Sequence, residues 1–160
     1  MRVQRAAVIG AGAMGSGIAC VLSQCGIEVL LKDVEQAAVE RGLGNIKRMY
    51  DSRVKKGTLT QAEADSLFAA VKGTTSYEDF KTVDLVIEAA FEEISVKLEI
   101  FKTLDQICPP RAILATNTSA LSISEIAEAT TRQDKVVGMH FFNPAQFMKL
   151  VEVTAGVKTS

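Results

Sequence analysis

The chain is poor in the residues that build metal sites and disulfide frameworks. It has a single histidine, His140, and three cysteines, Cys20, Cys25 and Cys108, among 160 residues. The number of cysteines is odd and no C-x-x-C pair occurs, so we expect reduced thiols, a cytoplasmic location and no bound metal. Cys20 and Cys25 are five positions apart on a predicted helix and therefore point to different faces.

Long apolar runs and an excess of positive charge are also absent. No run is long enough to span a membrane, and the net charge of -1, with no basic stripe, argues against a nucleic-acid partner. The opening MRVQRAAVIGAGAMG superficially resembles a secretion signal, but its apolar part is short and broken by glycine. We expect no secretion signal. The length of 160 residues predicts one domain over residues 1–160, large enough to fold without disulfides.

Short apolar runs alternate with helical patterns along the whole chain. Thr60 and Glu63 form a capping box that opens a helix reaching about residue 71, and Pro109-Pro110 end the helix that precedes them. Continuous apolar strands separated by helices are typical of a doubly wound, mostly parallel α/β sheet with helices on both faces. The strands are predicted at 6–10, 28–33, 73–76, 84–90, 112–118, 135–142 and 149–156, and the other helices at 14–25, 35–56, 94–107 and 122–130.

The turn after the first predicted strand contains G-x-G-x-x-G at Gly10, Gly12 and Gly15. It follows a strand, opens a helix and precedes an acidic strand end, Asp33, by about twenty residues, which is the pattern of a Rossmann-type dinucleotide site. The three glycines permit a tight turn, close approach of a pyrophosphate and close helix–strand packing, and the helix N-terminus attracts the phosphates. Asp33 can accept both ribose hydroxyls and would repel a 2′-phosphate, so NAD is favoured over NADP. The alternative is a turn used only for packing, with Asp33 as a solvated strand end.

The one histidine lies in GMHFFNP, residues 138–144, inside an apolar run. On its own, such a histidine is typical of a packed or surface-facing strand position. With the glycine turn, however, the chain resembles the NAD-binding domain of L-3-hydroxyacyl-CoA dehydrogenases over essentially all of its length. The resemblance rests on GAGAMGSGIA, LKD, DLVIEAAFEE, ATNTSALSISEIA and VGMHFFNPAQFMKLVEV. Ala145, Gln146 and Phe147 depart from the family pattern, which bears on acyl-chain preference and not on the reaction.

The resemblance assigns three residues to the chemistry. His140 matches the family's catalytic acid/base, a role that suits imidazole because its ordinary pKa is close to working pH. Glu152 matches the glutamate that holds the second ring nitrogen and stabilises the imidazolium. Ser119 matches a serine that contacts both the substrate and the nicotinamide region. The alternatives are an outward-facing strand residue at 152 and a helix-leading serine at 119.

Further positions match the family's ligand contacts. For Glu92 and Lys97 the alternative is a solvated loop and helix face, and for Asn143 it is a simple Asn-Pro turn. Lys56 matches a lysine that meets the CoA phosphates, although its neighbourhood, RVKKG, is a charge run of the kind that is usually only solvated. The positions that match cofactor contacts are Met14, Ala90, Phe91, Glu92, Lys97, Ser119 and Asn143.

The resemblance implies an enzyme that interconverts L-3-hydroxyacyl-CoA and 3-oxoacyl-CoA by hydride transfer to NAD, in fatty-acid β-oxidation or butanoate-type metabolism. Two alternatives remain: a related hydroxy-acid dehydrogenase whose substrate lacks CoA, and a non-catalytic NAD-binding module. Family enzymes carry a second, helical domain that completes the substrate site and makes most of the homodimer contacts. Because these 160 residues end before it, we expect the domain alone to be nearly inactive, with exposed apolar surface near Phe141, Phe142 and Phe147.

Overall fold

A computed structural model describes residues 1–160 as a seven-stranded sheet with helices on both faces. The strand order is β3-β2-β1-β4-β5-β6-β7; the first six strands are parallel and β7 runs antiparallel to β6. The strands are β1 Arg5–Ile9, β2 Glu28–Lys32, β3 Val71–Thr74, β4 Leu85–Glu88, β5 Ile113–Thr116, β6 Val136–Phe141 and β7 Val151–Ala155. The helices are α1 Ala13–Gln24, α2 Gln36–Lys55, α3 Gln61–Ala69, α4 Ile94–Ile107 and α5 Ile123–Ala127. This architecture confirms the predicted fold class.

Local signals in the sequence locate most of the helix ends. Helix α4 has the predicted bounds, 94–107, and ends before Pro109-Pro110. At α3 the Thr60 hydroxyl accepts a hydrogen bond from the Glu63 backbone N–H, as the capping pattern predicts. The boundary of β3 is less well predicted, because the strand begins at Val71 and not at residue 73. Two short 3₁₀ helices, Glu78–Thr82 and Gln133–Lys135, were not predicted.

Each face of the sheet has its own apolar core. In β1, Ala6 and Val8 face one side and Ala7 and Ile9 the other, as the period of two in a strand requires. One core packs the sheet against α1, α2 and α3 and includes Ile18, Leu31, Ile46 and Tyr50. The other packs it against α4 and α5 and includes Phe80, Phe101, Leu104 and Ile126. Burial on both faces explains why the parallel strands read as continuous apolar runs.

The chain reverses its winding direction at β1. From β1 it moves outward through β2 and β3, and it then returns to place β4 on the other side of β1. Helix α1 therefore packs on one face of the sheet and α4 on the opposite face. At such a reversal the segments that follow the two strands separate, and ligands of open α/β sheets bind in the crevice between them at the carboxyl ends of the strands.

The β7 edge of the sheet is the most exposed part of the fold. Most of its residues are exposed, and the large apolar side chains of Phe147, Leu150 and Val153 are each more than half exposed. The prediction of apolar exposure was wrong for Phe141, which is buried in the first core because its side chain points inward from β6. None of the helices is both long and apolar enough to cross a bilayer.

Candidate functional site

The glycine turn packs so closely against its neighbours that two of its three glycines have no room for a side chain. Gly10 has a φ of +102°, and a Cβ there would lie 2.5 Å from the backbone oxygen of Ala89. A Cβ on Gly15 would lie 1.6 Å from the backbone oxygen of Gly10. Gly12 differs, because a Cβ there would meet no atom within 4 Å. The closed sides of the turn therefore face the protein and the open side faces the crevice.

The start of α1 provides donors for an anion at this open side. Gly12 is the N-cap residue, and no side chain caps the helix. The first N–H groups of a helix have no partners inside the helix, and the aligned peptide dipoles make this end positive. Free space above Gly12 and uncapped N–H groups together fit the pyrophosphate of a dinucleotide.

Asp33 lies directly after β2 and braces the glycine turn. Its carboxylate accepts hydrogen bonds from the backbone N–H of Ala11 at 2.9 Å and of Val34 at 2.7 Å. An ionised carboxylate has about four acceptor positions, so two remain for the hydroxyls of a ribose. The side chain is only partly buried. Asp33 thus lies at the end of β2 with acceptor positions free, and its contact with the ribose stays a prediction.

His140 and Glu152 occupy opposed positions in the antiparallel pair β6–β7. The His140 Nδ1 lies 3.2 Å from the Glu152 Oε2. An ionised carboxylate can only accept, so this contact favours the neutral tautomer with its hydrogen on Nδ1, in which Nε2 has a free lone pair. The His140 side chain is 25 % exposed, and its ring lies 4.7 Å from the Phe142 ring, centroid to centroid. The only imidazole of the chain is therefore oriented, partly accessible and able to accept a proton.

The loop after β5 brings the other polar candidates to this end of the sheet. Ser119 is exposed three residues beyond β5, and Asn143 is exposed two residues beyond β6. Asn117, in the loop after β5, connects this loop to β6. Its side-chain oxygen accepts a hydrogen bond of 2.8 Å from the backbone N–H of Phe141. This bond holds the backbone next to His140. The sequence did not predict a role for Asn117 in the site.

The segment after β4 divides into an exposed and a buried part. Phe91 is 82 % exposed, Glu92 is also accessible and Ala90 is half-buried. Lys97 is fully buried, with its Nζ 2.8 Å from both carboxylate oxygens of Glu88. Lys97 is thus neither on a solvated helix face nor open to the crevice, and its contact with the cofactor stays a prediction. The Glu88 side chain, also fully buried, was read from the sequence only as part of a strand.

A cleft of about 460 Å³ runs from the start of α1 to α2 and to the turn after β6. Asn45, Arg48 and Met49 line it from α2, and Asn143, Pro144 and Gln146 line it from the turn. Lys56 is exposed two turns beyond Arg48 and does not line this cleft. Met14, on the first turn of α1, is half-buried. The roles of Lys56 and Met14 stay predictions.

The fold and the residues at the carboxyl ends of its strands define a Rossmann-type dinucleotide-binding domain with an oriented histidine–glutamate pair. Residues 5–160 match the family described as 3-hydroxyacyl-CoA dehydrogenase, NAD binding domain, and the chain belongs to that family. NAD is therefore the cofactor of this domain, as the glycine turn and Asp33 predicted.

The relatives carry related names and are longer. The chain is 49 % identical over 154 residues to a 3-hydroxybutyryl-CoA dehydrogenase of Clostridioides difficile, a match that covers 96 % of the chain and 55 % of the relative. It is 43 % identical over 159 residues to a peroxisomal fatty acid beta-oxidation multifunctional protein of Arabidopsis thaliana, covering 99 % of the chain and 22 % of that protein. The crystal structure of an Escherichia coli 3-hydroxybutyryl-CoA dehydrogenase superposes with a TM-score of 0.97 at 42 % identity, covering all of this chain and 34 % of the other. The chain thus spans about half or less of the length of these relatives.

Proposed function

We propose that this chain is the cofactor-binding and proton-transferring part of an NAD-dependent L-3-hydroxyacyl-CoA dehydrogenase. The observation that carries the proposal is the His140–Glu152 pair, 3.2 Å apart, with His140 near the carboxyl end of β6 and the glycine turn at the carboxyl end of β1. A module that only binds NAD has no need of an oriented, accessible imidazole at this position.

When bound, NAD would supply the acceptor for the hydride that leaves C3 of the substrate. The residues of the chain supply the rest of the reaction. The glycine turn and Asp33 hold the cofactor, and Nε2 of His140 takes the proton of the 3-hydroxyl group. Glu152 keeps the proton of the imidazole on Nδ1 and balances the positive charge that then develops on the ring. In the opposite direction His140 returns the proton to the carbonyl oxygen.

The cleft between α2 and the turn after β6 is the proposed route for the acyl-CoA. It is lined by Asn143 and by Arg48, whose guanidinium donates to the side-chain oxygen of Asn45. Lys56, the residue directly after α2, is exposed. We propose that these cations meet phosphate groups of CoA and that Ser119, exposed after β5, contacts the reacting part of the substrate.

Assembly and location are further parts of the proposal. We propose that the whole enzyme is a homodimer whose contacts come from a second domain, since this chain covers only 55 % of its Clostridioides difficile relative. The thiols of Cys20, Cys25 and Cys108 are unpaired, and two of the three are buried. These features suit a reducing compartment such as the cytoplasm.

The test is a comparison of two proteins: this chain alone, and this chain joined to the portion of the Clostridioides difficile relative that it does not cover. Oxidation of NADH by acetoacetyl-CoA should be rapid for the joined protein and nearly undetectable for the chain alone, because substrate positioning requires the second domain. Free 3-hydroxy acids and NAD form a second arm. Turnover of the free acids without any turnover of the CoA ester would favour the CoA-independent alternative.

A further inference from the structure

A buried cluster of Glu88, Lys97 and Thr116 lies at the carboxyl ends of β4 and β5, below the proposed cofactor crevice. All three side chains are fully buried. They come from three different elements, since Glu88 ends β4, Lys97 lies in the first turn of α4 and Thr116 ends β5. Burying two opposite charges is unfavourable unless every hydrogen-bonding position is satisfied, so apolar side chains would serve packing alone at least as well.

The Glu88 carboxylate is fully satisfied, and its donors come from all sides. Its Oε1 accepts from the backbone N–H of Ala90 at 2.7 Å, and its Oε2 accepts from the Thr116 hydroxyl at 2.6 Å. The ammonium of Lys97 donates to both oxygens at 2.8 Å. One carboxylate therefore joins the turn after β4, the start of α4 and the end of β5.

Two connections lead from this cluster to the candidate site. The turn held through Ala90 is the one whose backbone packs against Gly10, where a Cβ would approach the Ala90 nitrogen to 3.1 Å. The backbone oxygen of Glu88 also accepts from the N–H of Asn117 at 2.8 Å, and Asn117 in turn holds the backbone of Phe141 next to His140. The position of Glu88 thus influences the cofactor crevice and the histidine strand together.

We propose that Glu88 is a positioning residue for the cofactor site, and that Lys97 holds the Glu88 carboxylate in place. The proposal rests on the proposed function, since it assumes that the crevice holds NAD. Glu88 fixes the distance between the turn 89–91 and the glycine turn. Lys97 neutralises the buried charge and keeps the carboxylate in one orientation.

The experiment measures the Kd for NADH by calorimetry and the melting temperature of this chain and three variants. Glu88→Gln keeps the shape of the side chain, removes its charge and leaves Lys97 with only the partly exposed Glu92 carboxylate, 3.9 Å from its Nζ, as a counter-charge. Glu88→Gln combined with Lys97→Met removes both charges. Asp105→Asn is the matched control, because the Asp105–Arg132 pair, with an N–O distance of 2.9 Å, is also largely buried but lies at the far end of α4.

We expect Glu88→Gln to lower the melting temperature and to raise the Kd for NADH about tenfold, the scale of a lost hydrogen bond to a charged group. The double variant should recover most of the melting temperature but keep the weakened affinity. Asp105→Asn should lower the melting temperature with the Kd unchanged. Unchanged affinity in Glu88→Gln, or recovery of affinity together with stability in the double variant, would overturn the proposal. Failure of the unaltered chain to bind NADH would instead overturn the proposed function itself.

Discussion

The two ends of the parallel sheet use their carboxylates differently. At the amino end, Asp84 precedes β4 and accepts from the backbone N–H groups of Gln4 and Arg5 at 2.9 and 3.1 Å. Arg111 adds a salt bridge of 3.2 Å. The backbone N–H groups, together with Arg111, hold the pKa of Asp84 below its ordinary value.

At the carboxyl end the carboxylates are only partly occupied. Asp33 accepts two backbone N–H groups and keeps acceptor positions toward the crevice. Glu152 is exposed and makes its one side-chain hydrogen bond to His140. Glu88 is the exception at this end, because it is buried and fully bonded. The comparison indicates that the amino end stabilises the fold, whereas the carboxyl end keeps capacity for a ligand.

Substitution of His140 should produce the largest effect on function. We expect His140→Gln to lower turnover about 10²- to 10⁴-fold, because a positioned acid/base is lost. The substitution is made in this chain joined to the portion of the Clostridioides difficile relative that it does not cover. The Kd for NADH should stay unchanged, since His140 lies outside the glycine turn. Steady-state rates with acetoacetyl-CoA and calorimetry with NADH are the two measurements. If the His140→Gln variant kept nearly full activity, His140 would have no catalytic role and would be an ordinary strand residue.

The glycine turn provides a matched pair of substitutions. Gly15→Ala should destabilise the fold by about 3 kcal/mol, because the new methyl group would overlap the backbone of Gly10. Gly12→Ala should unfold like the unaltered chain, since its methyl group meets only open space, yet it should weaken NADH binding. Urea unfolding and calorimetry separate the two outcomes. Unaltered NADH affinity in Gly12→Ala would show that no pyrophosphate lies above this residue.

Asp33→Ala should narrow the preference for NAD over NADP. Loss of the charge removes hydrogen bonds to the ribose hydroxyls and the repulsion of a 2′-phosphate, so the ratio of the two affinities should fall about tenfold. The measurement is the Kd for each oxidised cofactor. Asp33 also accepts hydrogen bonds from the backbone N–H groups of Ala11 and Val34. Asp33→Asn is therefore the control, because its side-chain oxygen can still accept from the glycine turn while the charge is removed. Equal affinities of the unaltered chain for the two cofactors would contradict this role of Asp33.

The smallest predicted effect is at the amino end and depends on pH. A carboxyl group whose pKa is lowered by folding stabilises the native state above its unfolded pKa, near 4, and loses this contribution as the pH falls through the folded pKa. Asp84→Asn should therefore cost about 1 kcal/mol of unfolding free energy at pH 7, and the difference should be smaller at an acid pH, because the carboxyl group is protonated as the pH falls through the folded pKa. NADH affinity should be unchanged. A loss of stability that is the same at both pH values would exclude the charge as its cause.

Much of the site could be predicted because its signals are local in sequence. The glycine spacing, Asp33 at a strand end and the bounds of α4 depend on rules that act over one or two turns of chain. His140 and Glu152 needed a resemblance in addition, since either residue by itself fits an ordinary strand. Errors at the ends of β3 and β4 arose because propensity does not define where a strand stops pairing with its neighbour.

The sequence by itself determined the alternation of strands and helices, the phosphate turn and the identity of the one imidazole. Only the tertiary structure decided that Lys97 is buried on Glu88, that Phe141 points into the core and that Asn117 holds the histidine strand. Each of these facts is a contact between residues at least nine positions apart. Burial and pairing at that range depend on how whole elements pack, and no pattern within one element records them.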